Sequence, residues 1–270
     1  PFYEIIDEEI RTVVENNGDV LISRDPALNA DRQIEEIRAL IAEGVRVLFI
    51  NPVDGTRMND VLRDARAAGV IVIAIDTNIA AGSDVAATVV SDNYNAGRQC
   101  AAHLLAHADG ARIALLKHAE ARSAEQRIEG FRAEIAEHPS FQIVAEADCS
   151  GQLERAMPAM EKMLMEHPEI DTVMALNDPA ALGAIAALQS AGRMPGDTMV
   201  YGVDGVPESR ELIRTGWMTA TAVQSPRGIG RMAAEEAYRI LSGESAADID
   251  LPTRLLTRAN MDENDDGGWD

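Results

Sequence analysis

Cysteine, aromatic residues, basic residues and long apolar runs are all scarce in this 270-residue chain. The two cysteines, Cys100 and Cys149, are too few for a disulfide framework or a thiolate metal site. The richest apolar run covers residues 70–75, which is the length of a strand, whereas a membrane-spanning helix needs about 20 apolar residues. We therefore expect neither a disulfide scaffold nor a membrane span.

The shortage of basic residues gives the chain a strongly negative charge. Lysine and arginine together number 24 against 45 aspartates and glutamates, for a formal net charge of −21. A surface of this sign repels the phosphates of nucleic acids and of anionic lipids. The composition predicts that this chain does not bind nucleic acid, although a separate basic domain attached to it could do so.

Sequence motifs of common enzyme chemistries are also missing. The chain has no P-loop, no Gly-x-Gly-x-x-Gly, no His-Glu-x-x-His and no Gly-x-Ser-x-Gly. His103 and His107 have a spacing that suits metal binding on a helix, but no third ligand is apparent, which favours a solvated pair. We predict that the chain is not an enzyme and that it holds no metal and no cofactor.

Helical periodicity alternates with short, β-branched apolar runs along nearly the whole chain, which is typical of parallel sheets covered by helices on both faces. Five glycines follow predicted helices, where a left-handed residue often ends the helix: Gly44, Gly69, Gly192, Gly216 and Gly243. The predicted strands are 20–23, 45–50, 70–75, 87–91, 112–117, 142–145, 172–175, 199–203 and 220–223. The predicted helices are 3–16, 29–43, 56–68, 93–108, 123–137, 151–166, 179–191, 207–214 and 227–242.

The first element departs from this pattern, because a doubly wound sheet normally starts with a strand. The chain instead opens on Pro1-Phe2-Tyr3 within a helical pattern. We expect the first strand to precede Pro1, with residues of a ligand crevice at its carboxyl end.

Polar side chains follow four predicted strands at the point where each strand ends. Open parallel sheets bind ligands outside the carboxyl ends of their strands. Carboxylates accept hydrogen bonds, and amides both donate and accept, as a site for hydroxyl groups requires. The strand-end residues are Asp76, Asn177, Asp204 and Gln224. They predict a site for a small hydroxylated molecule.

Arg127 and the aromatic pair Phe2 and Tyr3 extend this predicted site. An arginine offers a rigid fork of donors, and the apolar C–H faces of a sugar pack on aromatic rings. Other roles are open for each residue. The aspartates could cap the helices that follow them, Arg127 could belong to a surface ion pair, and the two rings could lie in the core.

In their order and spacing, these fragments resemble the ribose-type (type I) periplasmic sugar-binding proteins of bacterial ABC importers over nearly the whole chain. The resemblance implies ligand contacts at Phe2, Tyr3, Asp76, Arg127, Asn177, Asp204 and Gln224. The fragments that carry it are Pro1-Phe2-Tyr3, Ile50-Asn51-Pro52 with Asp54, Ile75-Asp76, Val90-Ser91-Asp92-Asn93 with Gly97, Arg127-Ile128-Glu129-Gly130-Phe131, Asn177-Asp178 with Ala181-Leu182-Gly183-Ala184, Gly202-Val203-Asp204-Gly205, and Ala222-Val223-Gln224 with Pro226.

The resemblance also implies an α/β architecture of two doubly wound parallel-sheet lobes joined by a three-strand hinge. The N-terminal lobe is then expected at 1–91 plus 225–253 and the C-terminal lobe at 92–224 plus 254–262, followed by an acidic tail at 263–270. The first lobe is then expected to hold Phe2, Tyr3 and Asp76, the second lobe Arg127, Asn177 and Asp204, and the hinge Gln224.

Two positions differ from the ribose pattern. Thr77 stands where ribose binders have an arginine after the aspartate, and Cys149 stands where a third aromatic is expected. Thr77 lacks the donors of the arginine, and Cys149 lacks the ring of the aromatic, so both changes reshape the expected pocket. Because both positions line that pocket in the ribose pattern, we add Thr77 and Cys149 to the predicted ligand-binding residues. A monosaccharide other than ribose, or an acyclic polyol, is the expected ligand.

The function implied is that of a monomeric, periplasmic or lipid-anchored solute-binding protein. Such a protein captures a sugar or polyol by closing its lobes and delivers it to an ABC permease in the membrane. An effector domain of a lactose-repressor-like regulator, or of a membrane sensor, is the alternative with the same fold. Asp76 and Asp204 could also form a glycosidase acid pair, which a turnover assay would reveal.

Overall fold

A computed structural model describes residues 2–79 and 84–261 of the chain. The predicted acidic tail at 263–270 lies outside the described residues, as does Pro1. Within the described ranges the helices are α1 Phe2–Asn16, α2 Ala30–Glu43, α3 Asn59–Ala67, α4 Asn93–His107, α5 Arg122–Ile135, α6 Leu153–Glu166, α7 Asp178–Ser190, α8 Pro207–Thr215 and α9 Pro226–Leu241. The strands are β1 Val47–Ile50, β2 Ile71–Ile75, β3 Ala87–Ser91, β4 Ala111–Lys117, β5 Phe141–Asp148, β6 Thr172–Ala175, β7 Met199–Asp204, β8 Ala220–Val223, β9 Ile249–Leu251 and β10 Arg254–Thr257.

The chain divides into two compact units. Among the described residues, the first unit holds those up to Ser91 together with Ser225–Leu251, and the second unit holds Asp92–Gln224 together with those from Pro252 to Met261. The chain therefore passes from one unit to the other three times. Each unit is described below by itself.

The first unit is built on a parallel sheet with the strand order β1-β2-β3-β9. Successive residues of a strand face opposite sides of its sheet. In β2, Val72 joins the core made with α2 and α3, whereas Ile73 joins the core made with α1 and α9. Helices thus cover both faces, as predicted.

The second unit has a sheet with the order β10-β8-β7-β6-β4-β5. Its central strands are parallel, but β10 pairs with β8 in the antiparallel direction, which the sequence pattern did not predict. On β4, Leu115 packs in one core with α4 and α5, and Leu116 packs in the other with α6 and α7. The predicted class, α/β with helices on both faces of largely parallel sheets, is confirmed.

The predicted strand at 20–23 is wrong within the described structure. These residues form an irregular segment, in which Val20 is 84% exposed. The reason lies in the sheet, because β1 is the edge strand and no described strand lies beyond it to pair with 20–23. Conversely, β9 and β10 were missed, since such short segments form strands only by pairing with β3 and β8.

Helix ends follow the sequence closely. All five glycines predicted to end helices have positive φ, including Gly44 at 82° and Gly216 at 82°. At the other end, the side chains of Asp92, Asn177 and Ser225 accept a hydrogen bond from the backbone three residues on, and so cap α4, α7 and α9. Over residues 2–79 and 84–261, helices that are both long and apolar enough to span a bilayer are absent.

Candidate functional site

Two of the predicted carboxylates lie where the backbone is strained. Asp76 follows β2 with φ 65°, and Asp204 ends β7 with φ 134°; they are two of five non-glycine residues with positive φ in the described chain. A non-glycine residue in such a conformation costs about 1–3 kcal/mol, and such residues concentrate at functional sites. The strain makes both strand ends candidate functional positions.

In the first unit, Tyr3 and Asp76 lie in direct contact. The Tyr3 hydroxyl donates to Oδ2 of Asp76 at 3.0 Å, although the Tyr3 side chain is 56% exposed. The Phe2 ring meets the Tyr3 ring edge-on at 5.4 Å and is half-buried beside the core. Thr77 is buried directly after Asp76. The first unit therefore brings together Phe2, Tyr3 and Asp76, the three residues predicted for the first lobe.

In the second unit, Arg127 on α5 is the centre of a buried network. Its Nε donates to Oδ1 of Asn93 at 2.8 Å, and its NH1 group donates to the Leu176 carbonyl at 3.0 Å. The same NH1 group lies 3.5 Å from Oδ1 of Asp204. Arg127 is only 5% exposed, so its interpretation as a member of a surface ion pair is wrong.

Gln224 joins Asp204 from the end of β8. Its Nε2 donates to Oδ1 of Asp204 at 2.7 Å, and its backbone N–H donates to the Asp204 carbonyl at 3.1 Å. One carboxylate oxygen of Asp204 thus receives both the amide of Gln224 and the guanidinium of Arg127. Asp204 is not the N-cap of α8, since that position belongs to Val206.

Two buried polar atoms of this network have no hydrogen-bond partner among the described residues. They are Nδ2 of Asn93, a donor, and Oε1 of Gln224, an acceptor, on residues that are 2% and 3% exposed. Leaving such an atom unpaired costs about 1–3 kcal/mol. Asn93 was not among the predicted site residues, although it follows β3 as the other polar residues follow their strands.

Asn177 and Cys149 have hydrogen-bond partners other than the side chains of this network. Asn177 caps α7 and donates from Nδ2 to the Gly151 carbonyl at 3.1 Å. The Cys149 thiol lies 3.6 Å from the Lys117 carbonyl, and its side chain belongs to the hydrophobic core with Leu116. Burial raises the pKa of the Cys149 thiol, so it stays protonated.

The approach of α4 to α5 decides where Arg127 lies relative to Asn93. A Cβ at Gly97 would lie 1.8 Å from the Arg127 carbonyl oxygen, and a Cβ at Gly130 would lie 2.0 Å from the Tyr94 carbonyl oxygen. Any larger residue would therefore push the helices apart. The two glycines allow the backbones to approach closely enough for Arg127 to reach Asn93.

Asp178, the first residue of α7, is fully buried beside the turn that follows Asp204. Its carboxylate accepts from the backbone N–H of Gly205 at 2.8 Å and of Val206 at 3.0 Å, and from the Thr221 hydroxyl at 2.7 Å. Burial outweighs these donors and raises the pKa of Asp178 to about 6.

Asp178 should make stability depend on pH. Its folded pKa lies above the value of about 3.9 for an unfolded aspartate, so its stabilising contribution is present below pH 4 and lost as pH rises through 6. Asp178→Asn should gain on the order of 2 kcal/mol in unfolding free energy relative to wild type between pH 4.5 and pH 7.5. Urea titrations at both pH values measure this gain. Asp109→Asn, at an exposed carboxylate of the same unit, is the control, and a pH-independent difference for Asp178→Asn would refute the expectation.

His103 and His107 were predicted to be a solvated pair, but His103 is partly buried. Nδ1 of His103 lies 3.0 Å from the hydroxyl of the buried Tyr201, and the ring stacks on His107 at 3.9 Å. Burial, and then the neighbouring His107, lower the pKa of His103. In the part of the chain that the structure describes, no three histidine, cysteine or acidic side chains form a group able to hold a metal ion.

These two α/β units, with polar groups at the carboxyl ends of their strands, define a small-molecule-binding protein of the α/β class. A family model described as "Periplasmic binding protein domain" matches residues 1–245. The ribose import binding protein of Bacillus subtilis is 32% identical over 96% of this chain and 84% of its own length. The chain belongs to the periplasmic binding protein family, in its type I, ribose-type branch.

Solved structures agree with this assignment. An ABC transporter solute-binding protein from Mycobacterium smegmatis with bound glycerol has a TM-score of 0.88 at 32% identity, covering 96% of this chain and 91% of that chain. The Caulobacter myo-inositol binding protein bound to myo-inositol has a TM-score of 0.89 at 28% identity, covering 96% and 90%. The protein is therefore a solute-binding protein and not an enzyme, which confirms the predicted family and class.

Proposed function

We propose that this chain captures a monosaccharide or polyol outside the cytoplasm, by closure of its two units, and delivers it to an ABC permease. The unpaired buried atoms of Asn93 and Gln224, next to the Arg127 and Asp204 pair, are the observation that carries the proposal. A hydroxyl group both donates and accepts, so hydroxylated ligands match a site that offers one free donor and one free acceptor.

The relatives support a ligand of this chemical class. The Bacillus protein is named for ribose import, and the two solved structures hold glycerol and myo-inositol. Thr77 and Cys149 replace an arginine and an aromatic of the ribose pattern, which removes a charged fork and a stacking surface. We therefore propose a sugar other than ribose, or a polyol.

The proposed contacts add Asn93 to the predicted set and leave out Cys149. Thr77 lies beside Asp76, and Cys149 contributes by its small size, because its thiol packs in the core. The proposed ligand-binding residues are Phe2, Tyr3, Asp76, Thr77, Asn93, Arg127, Asn177, Asp204 and Gln224.

The cellular setting follows the same proposal. We propose a periplasmic or lipid-anchored monomer whose partners are the solute and a membrane permease. The curated relatives are import binding proteins, which favours transport over the regulator and sensor alternatives. The net charge of −21 is also unfavourable for a nucleic-acid-binding role.

A thermal-shift screen tests the proposed ligand class. D-Ribose, D-allose, L-arabinose, myo-inositol and glycerol should be compared, and at least one should raise the melting temperature, since a ligand at 100 times its Kd stabilises the folded state by about 2.7 kcal/mol. Gln224→Leu should weaken binding about tenfold or more by calorimetry. Gln189→Leu, at an exposed glutamine of the same unit, should bind as wild type does.

Two results would count against the proposal. A folded protein whose melting temperature none of the five compounds changes would reject this ligand class. Small-angle scattering that shows no compaction with a tightly bound compound would reject closure of the two units, while leaving solute binding intact.

A further inference from the structure

Asp178 has no predicted contact with a ligand, yet its carboxylate is held in a very specific position. Oδ2 accepts the N–H groups of Gly205 and Val206, and Oδ1 accepts the Thr221 hydroxyl. The capping of α7 does not explain it, since Asn177 performs that role. The three donors come from the turn after β7 and from the middle of β8.

The surroundings are shaped around this carboxylate. A Cβ at Gly202 would lie 2.3 Å from Oδ1 of Asp178, so the strand leaves room for the acid only because residue 202 is glycine. From the other side, Nε of the buried Arg210 donates to the Gly205 carbonyl at 3.0 Å. The peptide unit between Gly205 and Val206 is thereby held at both polar groups: Arg210 binds the Gly205 carbonyl, and Asp178 binds the Val206 N–H.

The turn that Asp178 holds begins directly after Asp204. Asp204 has φ 134°, a conformation that a non-glycine residue keeps only when its surroundings enforce it. Its carboxylate must at the same time reach Arg127 and Gln224. The hydrogen bonds that the next two amides donate to Asp178 hold the backbone directly after Asp204.

We propose that Asp178 is a positioning residue that sets the direction of the Asp204 carboxylate by holding the amides of Gly205 and Val206. The expected effect of Asp178 on ligand affinity rests on the proposed function. Its expected effect on the turn after Asp204 does not. Asparagine can keep all three bonds, with Oδ1 accepting both amides and Nδ2 donating to the Thr221 hydroxyl. Alanine keeps none of them.

Amide hydrogen exchange on the ligand-free protein tests the turn directly. Asp178→Ala should speed exchange at Gly205 and Val206 by about 100-fold or more, and Asp178→Asn should keep it within about threefold of wild type. Thr221→Val removes a single hydrogen bond and should raise the exchange rate of the same two amides about three- to tenfold. This variant keeps the test available if the alanine variant does not fold. Glu236→Ala, at a carboxylate in the first unit that is 1% exposed and accepts the Ala247 amide at 2.8 Å, should leave both amides unchanged.

Binding of the five-compound panel tests the consequence for Asp204. Asp178→Ala should lower the affinity of each bound compound about tenfold or more, and Asp178→Asn should restore it. If Asp178 acts through Asp204, the double variant with Asp204→Ala should bind no more weakly than Asp204→Ala alone, because residues acting through one another do not add. A general loss of stability would not produce this pattern.

Three results would overturn the proposal. They are unchanged exchange at both amides in a folded Asp178→Ala or Thr221→Val protein, exchange in Asp178→Asn as fast as in the alanine variant, and additive affinity losses in the double variant. Failure of the whole panel to bind wild type would reject the proposed function instead, and amide exchange would then decide the role of Asp178 alone.

Discussion

Replacing Arg127 with alanine should abolish ligand binding and destabilise the second unit. The buried side chain donates to Asn93 and to the Leu176 carbonyl and lies 3.5 Å from the half-buried carboxylate of Asp204. Removing one partner of a buried, hydrogen-bonded charge pair costs about 2–5 kcal/mol, so affinity should fall by about 100-fold or more. Arg127→Lys should recover only part of the affinity, because an ammonium group lacks the planar fork of donors.

Calorimetry with the tightest compound of the panel measures the affinity, and urea unfolding measures the stability. The matched control is Arg132→Ala on the same helix, where a half-exposed arginine pairs with Glu146. A surface pair of this kind contributes about 0–1 kcal/mol, and no binding change is expected. If Arg127→Ala bound within threefold of wild type, the network would not be a ligand site.

The substitution Gly97→Ala, which adds a single methyl group to α4, should also lower both stability and ligand affinity. Helix propensity alone predicts that Gly97→Ala stabilises the helix by about 1 kcal/mol. The new Cβ would instead lie 1.8 Å from the Arg127 carbonyl oxygen, so α4 and α5 must separate. We expect a net destabilisation of about 2–3 kcal/mol and an affinity loss of about tenfold or more, because Asn93 and Arg127 lie on opposite sides of this contact.

Thermal unfolding and calorimetry on Gly97→Ala measure both effects. Gly55→Ala is the control, since the nearest atoms to its new Cβ lie at 3.9 Å and the residue belongs to the first unit. A Gly97→Ala protein more stable than wild type would show that the helices move apart at little cost. In that case the close approach would not be what positions Arg127.

Much of the proposed site could be predicted from local sequence. Asp76 follows β2 of one sheet, whereas Asp204 ends β7 and Gln224 follows β8 of the other. They were predicted because a parallel sheet brings the carboxyl ends of its own strands to one edge. The family resemblance added weight to Arg127. Asn93 satisfied the same rule but follows Asp92, whose capping role conceals the signal.

Other features escaped prediction because they depend on distant neighbours. Residues 20–23 have the apolar alternation of a strand yet find no described strand to pair with. Cys149 follows a strand like the site residues, but its thiol turns into the core. Local composition does not encode which way a side chain points once its strand has ended.

The sequence by itself determined the alternation of helices and strands, the ends of the helices and the family, because periodicity, capping residues and glycines act within a few residues of themselves. Only the tertiary structure decided which polar groups meet. The contact of Arg127 with Asn93, and of Asp178 with the turn after Asp204, join elements far apart in the chain. Such contacts follow from backbone packing at Gly97 and Gly202, where the decisive quantity is the space available and not the residue's own propensity.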